Sequence, residues 1–408
     1  MIFRQRTQFV FLCLAVLLLT LTTKESLGWS NGGFSSAPSS PNFGTHDWIA
    51  FHALDYLALE DKQYLLDFNA IYLYGTELPD RPSTQTGIGD TGRHHLYYYS
   101  NQSLEDDVAA IRAQEYYSQT VLALKNGNLT GAALAAGIMT HYICDIGVFG
   151  HVMGSGTAWG NEVHHSDYEE YVNERTNSIN DQFDVFLGSD GILVQMTAYQ
   201  LTLGLGYDTT FDSSLAGRNA TWMDSSYNWG SANFLERVGQ SIRLSVNLVA
   251  NALHSVSVEA RGGFVSSDYG LFIKGLQVDN TSSVCVLTTN SYVNKLEFDQ
   301  SSRVLNVTVS GGRGVSSWAN MTFPSSLITM PINLLLDEKP AVYTVEQNST
   351  HTTISVHYEG GVHRLSIYSV IPISEFPSNG VSLLLFLLII VALMSSKLMV
   401  KKRSEYHP

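Results

Sequence analysis

The pattern of apolar and polar positions along the chain changes character near residue 262. Before that point apolar residues recur at helical spacing, and Gly-, Ser- and Asn-rich loops separate the apolar segments. The predicted helices span 47–66, 104–124, 129–149, 163–175, 193–205 and 232–256. This pattern predicts an all-α domain over residues 29–260.

After the pair Gly262-Gly263, short segments of alternating apolar and polar residues take over. The predicted strands span 284–287, 295–298, 304–309, 332–336, 341–345, 352–357 and 362–370. Ser, Gly and Asn turns separate them, a spacing that is typical of an antiparallel sandwich. We therefore expect an all-β sandwich domain over residues 264–375.

The N-terminal apolar run indicates export. Arg4 and Arg6 precede an apolar run over 9–21, and the small residues Ser26 and Gly28 suit cleavage after Gly28. This is the layout of a signal peptide over residues 1–28, with an uncleaved N-terminal anchor as the alternative. Cleavage there would make Trp29 the mature N-terminus.

A second apolar stretch, over 381–400, has the length of about 20 residues that a bilayer span needs. Lys401, Lys402 and Arg403 follow it, and basic residues beyond a span favour the cytoplasmic side. The sequence thus predicts one transmembrane helix, a cytoplasmic tail over 401–408, and a single-pass protein of the cell membrane whose catalytic domain is extracellular.

Sequons and cysteines are compatible with that location. Asn-x-Ser/Thr sequons begin at Asn101, Asn128, Asn219, Asn280, Asn306, Asn320 and Asn348. Of the 3 cysteines, Cys13 lies in the predicted signal peptide, so no disulfide framework follows. The net charge of −14 disfavours non-specific binding to nucleic acid.

Histidine and carboxylate pairs are the strongest chemical signal. His141 and Asp145 are four positions apart on one predicted helix, and His165 and Glu169 are four apart on another. Side chains at that spacing project from one helical face, and imidazole and carboxylate are ligands that zinc accepts. Such a pair taken alone is more often a solvated or capping pair than a metal site, so the zinc interpretation depends on the order of motifs along the chain.

That order resembles bacterial zinc-dependent phospholipase C. The matching segments are Trp29, Gly-Thr-His46-Asp-Trp-Ile, Tyr-Gly-Thr-Glu-Leu-Pro-Asp80, His95-Leu-Tyr-Tyr, Thr-His141-Tyr-Ile-Cys-Asp145, His151 and His165-Ser-Asp-Tyr-Glu169. The resemblance covers residues 29–260 and implies the helical fold that phospholipase C shares with single-strand nucleases. It also implies three zinc ions and hydrolysis of phospholipid to diacylglycerol and a phosphorylated head group by metal-activated water.

The resemblance assigns each ligand. Asp80, His95, His141 and Asp145 would hold one ion. His151, His165 and Glu169 would hold a second. The amino group and carbonyl of Trp29, with His46 and Asp145, would hold the third. Asp80 is also the candidate general base, and His95 and His165 are preferred over their neighbours His94 and His164 from the family spacing.

The chain departs from the family pattern at the head-group positions. Phosphatidylcholine-specific members have aromatic residues where this chain has Arg81 and Gly92, so no aromatic cage for a quaternary ammonium is expected. Arg81 and Arg93 are weak candidates for contacts with an anionic head group. The family's Gln-Pro before the histidine that matches His151 is absent, and the run here is Val148-Phe149-Gly150.

Two alternatives remain at this stage. A single-strand nuclease or 3′-nucleotidase shares the three-zinc plan, although it typically ends the ligand set with Asp where this chain has Glu169. A non-catalytic surface protein stabilised by zinc would also fit the predicted anchor. The β-region lacks Asp-rich calcium loops and resembles the membrane-proximal sandwich of archaeal surface proteins, which implies a stalk.

Overall fold

The computed structural model describes residues 29–278 and 281–370 of the 408-residue chain. The helices are α1 Thr45–Ala53, α2 Leu59–Asp67, α3 Asn69–Glu77, α4 Val108–Lys125, α5 Leu129–Asp145, α6 His165–Asn173, α7 Ala198–Phe211, α8 Ala220–Ser225 and α9 Ala232–Ala260. The predicted domain is helical, although it also contains three short strands. The predicted helix 47–66 is divided into α1 and α2 by a 3-10 turn over Leu54–Tyr56, and the predicted helix 104–124 begins only at Val108.

Helix α9 organises the helical domain. Its 29 residues carry one apolar face on which Val238, Ile242, Val246 and Leu253 are fully buried. That face packs against α1, α2, α4, α5 and α7. The sequence predicted a helix over 232–256, and its apolar stripe at helical spacing explains why neighbouring helices cover that face.

The strands form two larger sheets and one small hairpin. Their bounds are β1 Tyr97–Tyr98, β2 Leu104–Asp106, β3 Ile192–Gln195, β4 Gly270–Val278, β5 Thr281–Thr289, β6 Tyr292–Asp299, β7 Val304–Ser310, β8 Ser316–Pro324, β9 Ile328–Leu336, β10 Lys339–Pro340, β11 Tyr343–Gln347, β12 His351–Glu359 and β13 His363–Val370. One sheet has the order β10-β9-β13-β7-β6 and the other β11-β12-β8-β5-β4-β3, with all pairs antiparallel.

In the six-stranded sheet, residues of β8 and β12 alternate between buried and partly exposed positions. Met321, Phe323, Ile354, Val307 and Leu365 are buried from both sheets into one apolar core. This sandwich-like arrangement is the one the alternating pattern predicts. Strands β4 and β8 were not among the predicted strands.

Strand β3 corrects the predicted helix 193–205. Ile192–Gln195 is a strand that pairs with Leu271–Lys274 of β4, and helix α7 begins only at Ala198. The six-stranded sheet therefore recruits a strand from the helical region and links the two domains through main-chain hydrogen bonds.

Among the residues that the structure describes, no helix is both long and apolar enough to cross a membrane. The predicted span 381–400, the tail 401–408 and the signal peptide 1–28 all lie outside the described residues. Cys144 and Cys285 are buried and free, as the cysteine count predicted.

Candidate metal centre

A close crossing of α3 and α5 places the first group of polar side chains. A Cβ atom on Gly137 would lie 1.9 Å from the carbonyl oxygen of Tyr72 and 2.9 Å from the Cα of Gly75. The two helices can approach this closely only because both positions lack a side chain. As a result, Nδ1 of His141 on α5 is 2.7 Å from the carbonyl oxygen of Thr76 on α3.

That contact orients the His141 ring. With Nδ1 donating to Thr76, the lone pair of Nε2 points to the carboxylates of Asp145 and Asp80, at 3.1 and 3.6 Å. A backbone carbonyl that fixes the tautomer of a histidine is a common support for a metal ligand. His141 and Asp145 are fully buried and Asp80 is 4% exposed.

His94, and not His95, completes this group. Nδ1 of His94 is 2.9 Å from Asp145 and 3.3 Å from Asp80, and its ring is buried. The structure does not bring the predicted ligand His95 to this group: its Nε2 pairs with Asp106 at 3.3 Å and its ring stacks on Tyr97. His94 directly follows the 3-10 turn Thr91–Arg93, and its side chain is buried, whereas that of His95 is 25% exposed.

His46 approaches the same carboxylate from α1. Its Nε2 is 3.2 Å from Asp145, and its ring stacks on that of His141 with centroids 4.1 Å apart. Trp29 lies next to this pair, because its indole N–H donates to the carbonyl oxygen of Cys144, one residue before Asp145. Trp29 is fully buried.

His151, His165 and Glu169 form a second group. Glu169 Oε1 is 2.8 Å from Nε2 of His165 and 3.5 Å from Nε2 of His151. The His165 ring can lie close to the main chain at Gly150 because that residue has no side chain, and a Cβ there would lie 2.3 Å from the ring. On its other side His165 Nδ1 pairs with Glu162 at 3.3 Å.

The carboxylates and imidazoles shift one another's protonation. Burial alone would lower the pKa of His94, but its ion-pair contacts with the carboxylates of Asp145, Asp80 and Asp90 raise it to about 12. Burial would also lower the pKa of His165, but the neighbouring carboxylates of Glu169 and Glu162 raise it to about 10. The protons on these rings compensate buried negative charge, a role that a cation can take over with release of protons.

Several buried atoms in the centre make no hydrogen bond among the described residues. They are Nδ1 and Nε2 of His46, Nε2 of His94, Nε2 of His151, Oδ1 of Asp80 and both carboxylate oxygens of Asp145. Buried polar atoms are rarely left without partners, and nitrogen and carboxylate oxygen atoms gathered this way suit zinc. Potential ligand atoms form three sets, and within each set they lie no more than 4.8 Å apart. The sets are His46 with Asp80 and His141, His94 with His141 and Asp145, and His151 with His165 and Glu169.

The two arginines proposed for head-group contacts have different positions. Arg81 is 8% exposed and donates to the carbonyl oxygen of Ser35 and, at 2.9 Å, to the hydroxyl of Tyr74. Both contacts are made by Nη1, and a contact of Arg81 with a head group stays a prediction. Arg93 is exposed, and its contact with a head group stays a prediction.

The sequence did not point to Thr76, Gly150 or Glu162. Thr76 acts through its main-chain carbonyl and Gly150 through the absence of a side chain, so neither has a chemical signature of its own. Glu162 lies three positions before His165, and that spacing was the one available signal.

Comparison with known proteins is consistent with this arrangement. Residues 45–196 match the family model for zinc dependent phospholipase C. That range contains every member of both groups and leaves out Trp29. No curated protein matches the chain.

Two solved structures are similar to the chain. Alpha toxin from Clostridium absonum has 13% identity and a TM-score of 0.37, covering 79% of this chain and 97% of the toxin. Alpha-toxin from an avian strain of Clostridium perfringens has 13% identity and a TM-score of 0.35, covering 80% and 82%. The assignment of this centre to zinc is therefore based on the family match and the site geometry, and not on these two similarities.

Proposed function

The helical domain of this chain belongs to the zinc-dependent phospholipase C family, and from that premise we propose how the protein hydrolyses the head-group phosphodiester of phospholipids. The reaction yields diacylglycerol and a phosphorylated head group. The observation that carries the proposal is the gathering of eight buried imidazole and carboxylate side chains within the range of the family match.

We assign these side chains to three zinc ions. Asp80, His94, His141 and Asp145 would hold the first ion. His151, His165 and Glu169 would hold the second. His46 and a shared Asp145 would hold the third, together with the amino group and carbonyl of Trp29 after cleavage at Gly28. The support for the third assignment is that Trp29 is pinned beside Asp145 by its indole.

Bound zinc polarises phosphoryl oxygens and lowers the pKa of a water ligand from about 16 toward about 7. The protein's own residues hold the rings of the candidate ligands in fixed orientations. Thr76 and Glu162 fix the rings of His141 and His165 from behind. These contacts keep the Nε2 atoms directed into the metal centre, so that the ligands need little reorganisation when substrate binds.

Asp80 is the candidate general base. Burial opposes its ionisation, but His141 and His94 lower its pKa, so it is a carboxylate at neutral pH. It can take a proton from the attacking water as the new oxygen–phosphorus bond forms. The bond from phosphorus to the glycerol oxygen then breaks, and a proton from solvent completes the diacylglycerol hydroxyl.

We further propose that the enzyme works at the outer face of a membrane. Support comes from the signal-peptide pattern of 1–28 and the apolar stretch 381–400 with its basic flank. In this arrangement the β-sandwich is a stalk between the span and the catalytic domain. An anchored enzyme would meet phospholipid at high local concentration.

The test offers two substrates side by side. The full chain with Trp29 at its N-terminus is presented with mixed phospholipid vesicles and with single-stranded DNA, each with and without a zinc chelator. We expect release of diacylglycerol that the chelator abolishes. Release of nucleotides with lipid untouched would move the protein to the nuclease branch, and no turnover by a zinc-loaded preparation would refute both substrates.

A further inference from the structure

Two fully buried carboxylates of the helical domain, Asp47 and Glu77, lie outside the metal centre. Burial raises the pKa of both. Since a buried acid costs free energy unless its partners compensate, each should have a specific structural task. Their hydrogen bonds show what each one holds.

Glu77 closes a loop that begins just after Trp29. Its Oε2 accepts from the backbone N–H of Ser35 at 2.9 Å, and its Oε1 accepts from the backbone N–H of Asn42 at 2.8 Å. The hydroxyl of Ser35 also donates to the carboxylate, at 3.1 Å. One side chain therefore binds two backbone positions seven residues apart, with hydrogen bonds strengthened by its charge.

Arg81 holds the same loop from the next turn of the chain. It donates to the carbonyl oxygen of Ser35. Ser35 is thus held at its N–H by Glu77 and at its carbonyl by Arg81. We call residues 30–44 the N-terminal strap.

The two ends of the N-terminal strap meet at the metal centre. A Cβ on Gly44 would lie 2.3 Å from the carbonyl oxygen of Ser30, and that same oxygen accepts from the N–H of His46 at 3.4 Å. Asp47 reinforces the junction by accepting from the N–H of Gly44 at 3.0 Å. The start of the strap is consequently fixed against the first turn of α1, which carries His46.

Thr76, the neighbour of Glu77, connects the strap to His141. Its hydroxyl donates to Asp47 at 3.0 Å, and its carbonyl accepts from His141 Nδ1 at 2.7 Å. The last turn of α3 therefore makes three contacts. Glu77 binds the strap, the Thr76 hydroxyl binds Asp47 at the start of α1, and the Thr76 carbonyl binds the ring of the candidate ligand His141.

We propose that Glu77 is a positioning residue that locks the N-terminal strap beside the metal centre, so that zinc affinity at His46 and His141 depends on the strap being in place. The inference rests on the proposed function only in taking these histidines as zinc ligands. It concerns one part of the centre, because Glu77 binds the strap at Ser35 and Asn42, whereas His165 and Glu169 pair with each other on α6.

The experiment is Glu77→Gln in the full chain. Gln has the same shape but presents an NH2 group to one of two N–H donors, so one end of the strap is repelled. We expect zinc affinity at the His46 and His141 side to fall by about 10- to 100-fold, the range for residues that support a ligand. The zinc held by His151, His165 and Glu169 should remain. Competitive titration with a chromophoric chelator and hydrogen exchange at Ser35 and Asn42 measure these effects.

Three further variants isolate the role of the strap. Ser35→Ala removes one donor from a half-buried position and should shift the same zinc affinity in the same direction, by less. Asp61→Asn breaks a buried contact with His254 and Arg261 and controls for general loss of stability. Glu174→Gln changes an exposed carboxylate and should alter nothing.

Unchanged zinc affinity in Glu77→Gln despite faster exchange of the strap amides would overturn the proposal. So would a loss that is equal at all zinc sites and matched by Asp61→Asn. The proposed function fails differently: a wild-type chain that binds zinc with strap-dependent affinity but releases no diacylglycerol refutes the activity and leaves this inference standing.

Discussion

The helical domain and the β-sandwich bury polar groups in different ways. The helical domain places charged or titratable side chains at its centre, among them His46, Asp80, His141 and Asp145. In the described part of the sandwich, the buried polar residues are Ser, Thr and Asn, such as Thr289. Neutral groups are easily compensated by backbone hydrogen bonds, whereas clustered charges need a counter-ion.

This contrast separates function from support. The helical domain tolerates a polar interior because cations are expected to complete it, so its stability is linked to its chemistry. The sandwich has an apolar core that requires no ligand. The two domains should consequently respond differently to metal removal and to core mutations, although β3 joins them in one sheet.

Removal of zinc should have the largest effect. A chelator should abolish activity and destabilise the helical domain by about 4 kcal/mol for each zinc ion removed, if zinc is present at about 1,000 times its Kd. Scanning calorimetry should show the helical transition moving down by roughly 10 °C for each ion while the sandwich transition stays in place. A single transition that moves as a whole would show that β3 couples the domains into one cooperative unit.

The next effect separates His94 from His95. We expect His94→Ala to lower activity and zinc affinity by more than about 100-fold, above the range for residues that only support a ligand. His95→Ala is the matched control and should remain within about 3-fold of wild type, because its ring pairs with Asp106 outside the centre. Equal losses in both variants would contradict the assignment.

A core mutation in the sandwich should affect stability alone. Phe323 is fully buried in β8, and Phe323→Ala should destabilise the sandwich by about 3–5 kcal/mol. Hydrolysis of a soluble phosphodiester at a temperature where both domains are folded should be unchanged. Ser316→Ala, an exposed change on the same strand, should cost less than about 0.5 kcal/mol. Lost zinc binding in Phe323→Ala would contradict the separation of the two domains.

The features that were predictable from sequence are local ones. The four-residue steps from His141 to Asp145 and from His165 to Glu169 fix which side chains share a helical face, and the structure brings both pairs together. The alternation of apolar and polar residues predicted most strands of the sandwich. This pattern is also local, because it repeats every two residues.

The errors arise where distant contacts decide. The segment Ile192–Gln195 is apolar enough for either structure, and pairing with β4, almost eighty residues later, makes it a strand. His94 and His95 are adjacent, so only the conformation of the preceding turn selects between them. The role of Glu77, which lies within the matching segment that ends at Asp80, could not be predicted, because its partners Ser35 and Asn42 lie 42 and 35 positions away.

The smallest expected effect concerns a charged contact of the helical domain that needs no metal. Asp61 is 3% exposed and pairs with His254 at 2.6 Å and with Arg261 at 2.7 Å, which ties α2 to α9. Burial opposes ionisation, but these hydrogen bonds prevail and lower the pKa of Asp61. An acid whose pKa is lowered by folding stabilises the native state above its unfolded pKa of about 3.9, and this contribution is lost as pH falls through the folded value.

Asp61→Asn should therefore destabilise the zinc-free protein by about 1.5–3 kcal/mol at pH 7, the range for hydrogen bonds to a charged group. The difference from wild type should persist down to about pH 4 and shrink below it, because both proteins are then uncharged at this position. Urea unfolding at a series of pH values measures it, with zinc removed so that ligand protonation does not contribute. A difference that stays constant below pH 4 would mean that the contact stabilises by shape and not by the charge of Asp61, and the helical domain's dependence on charge would then be confined to its metal centre.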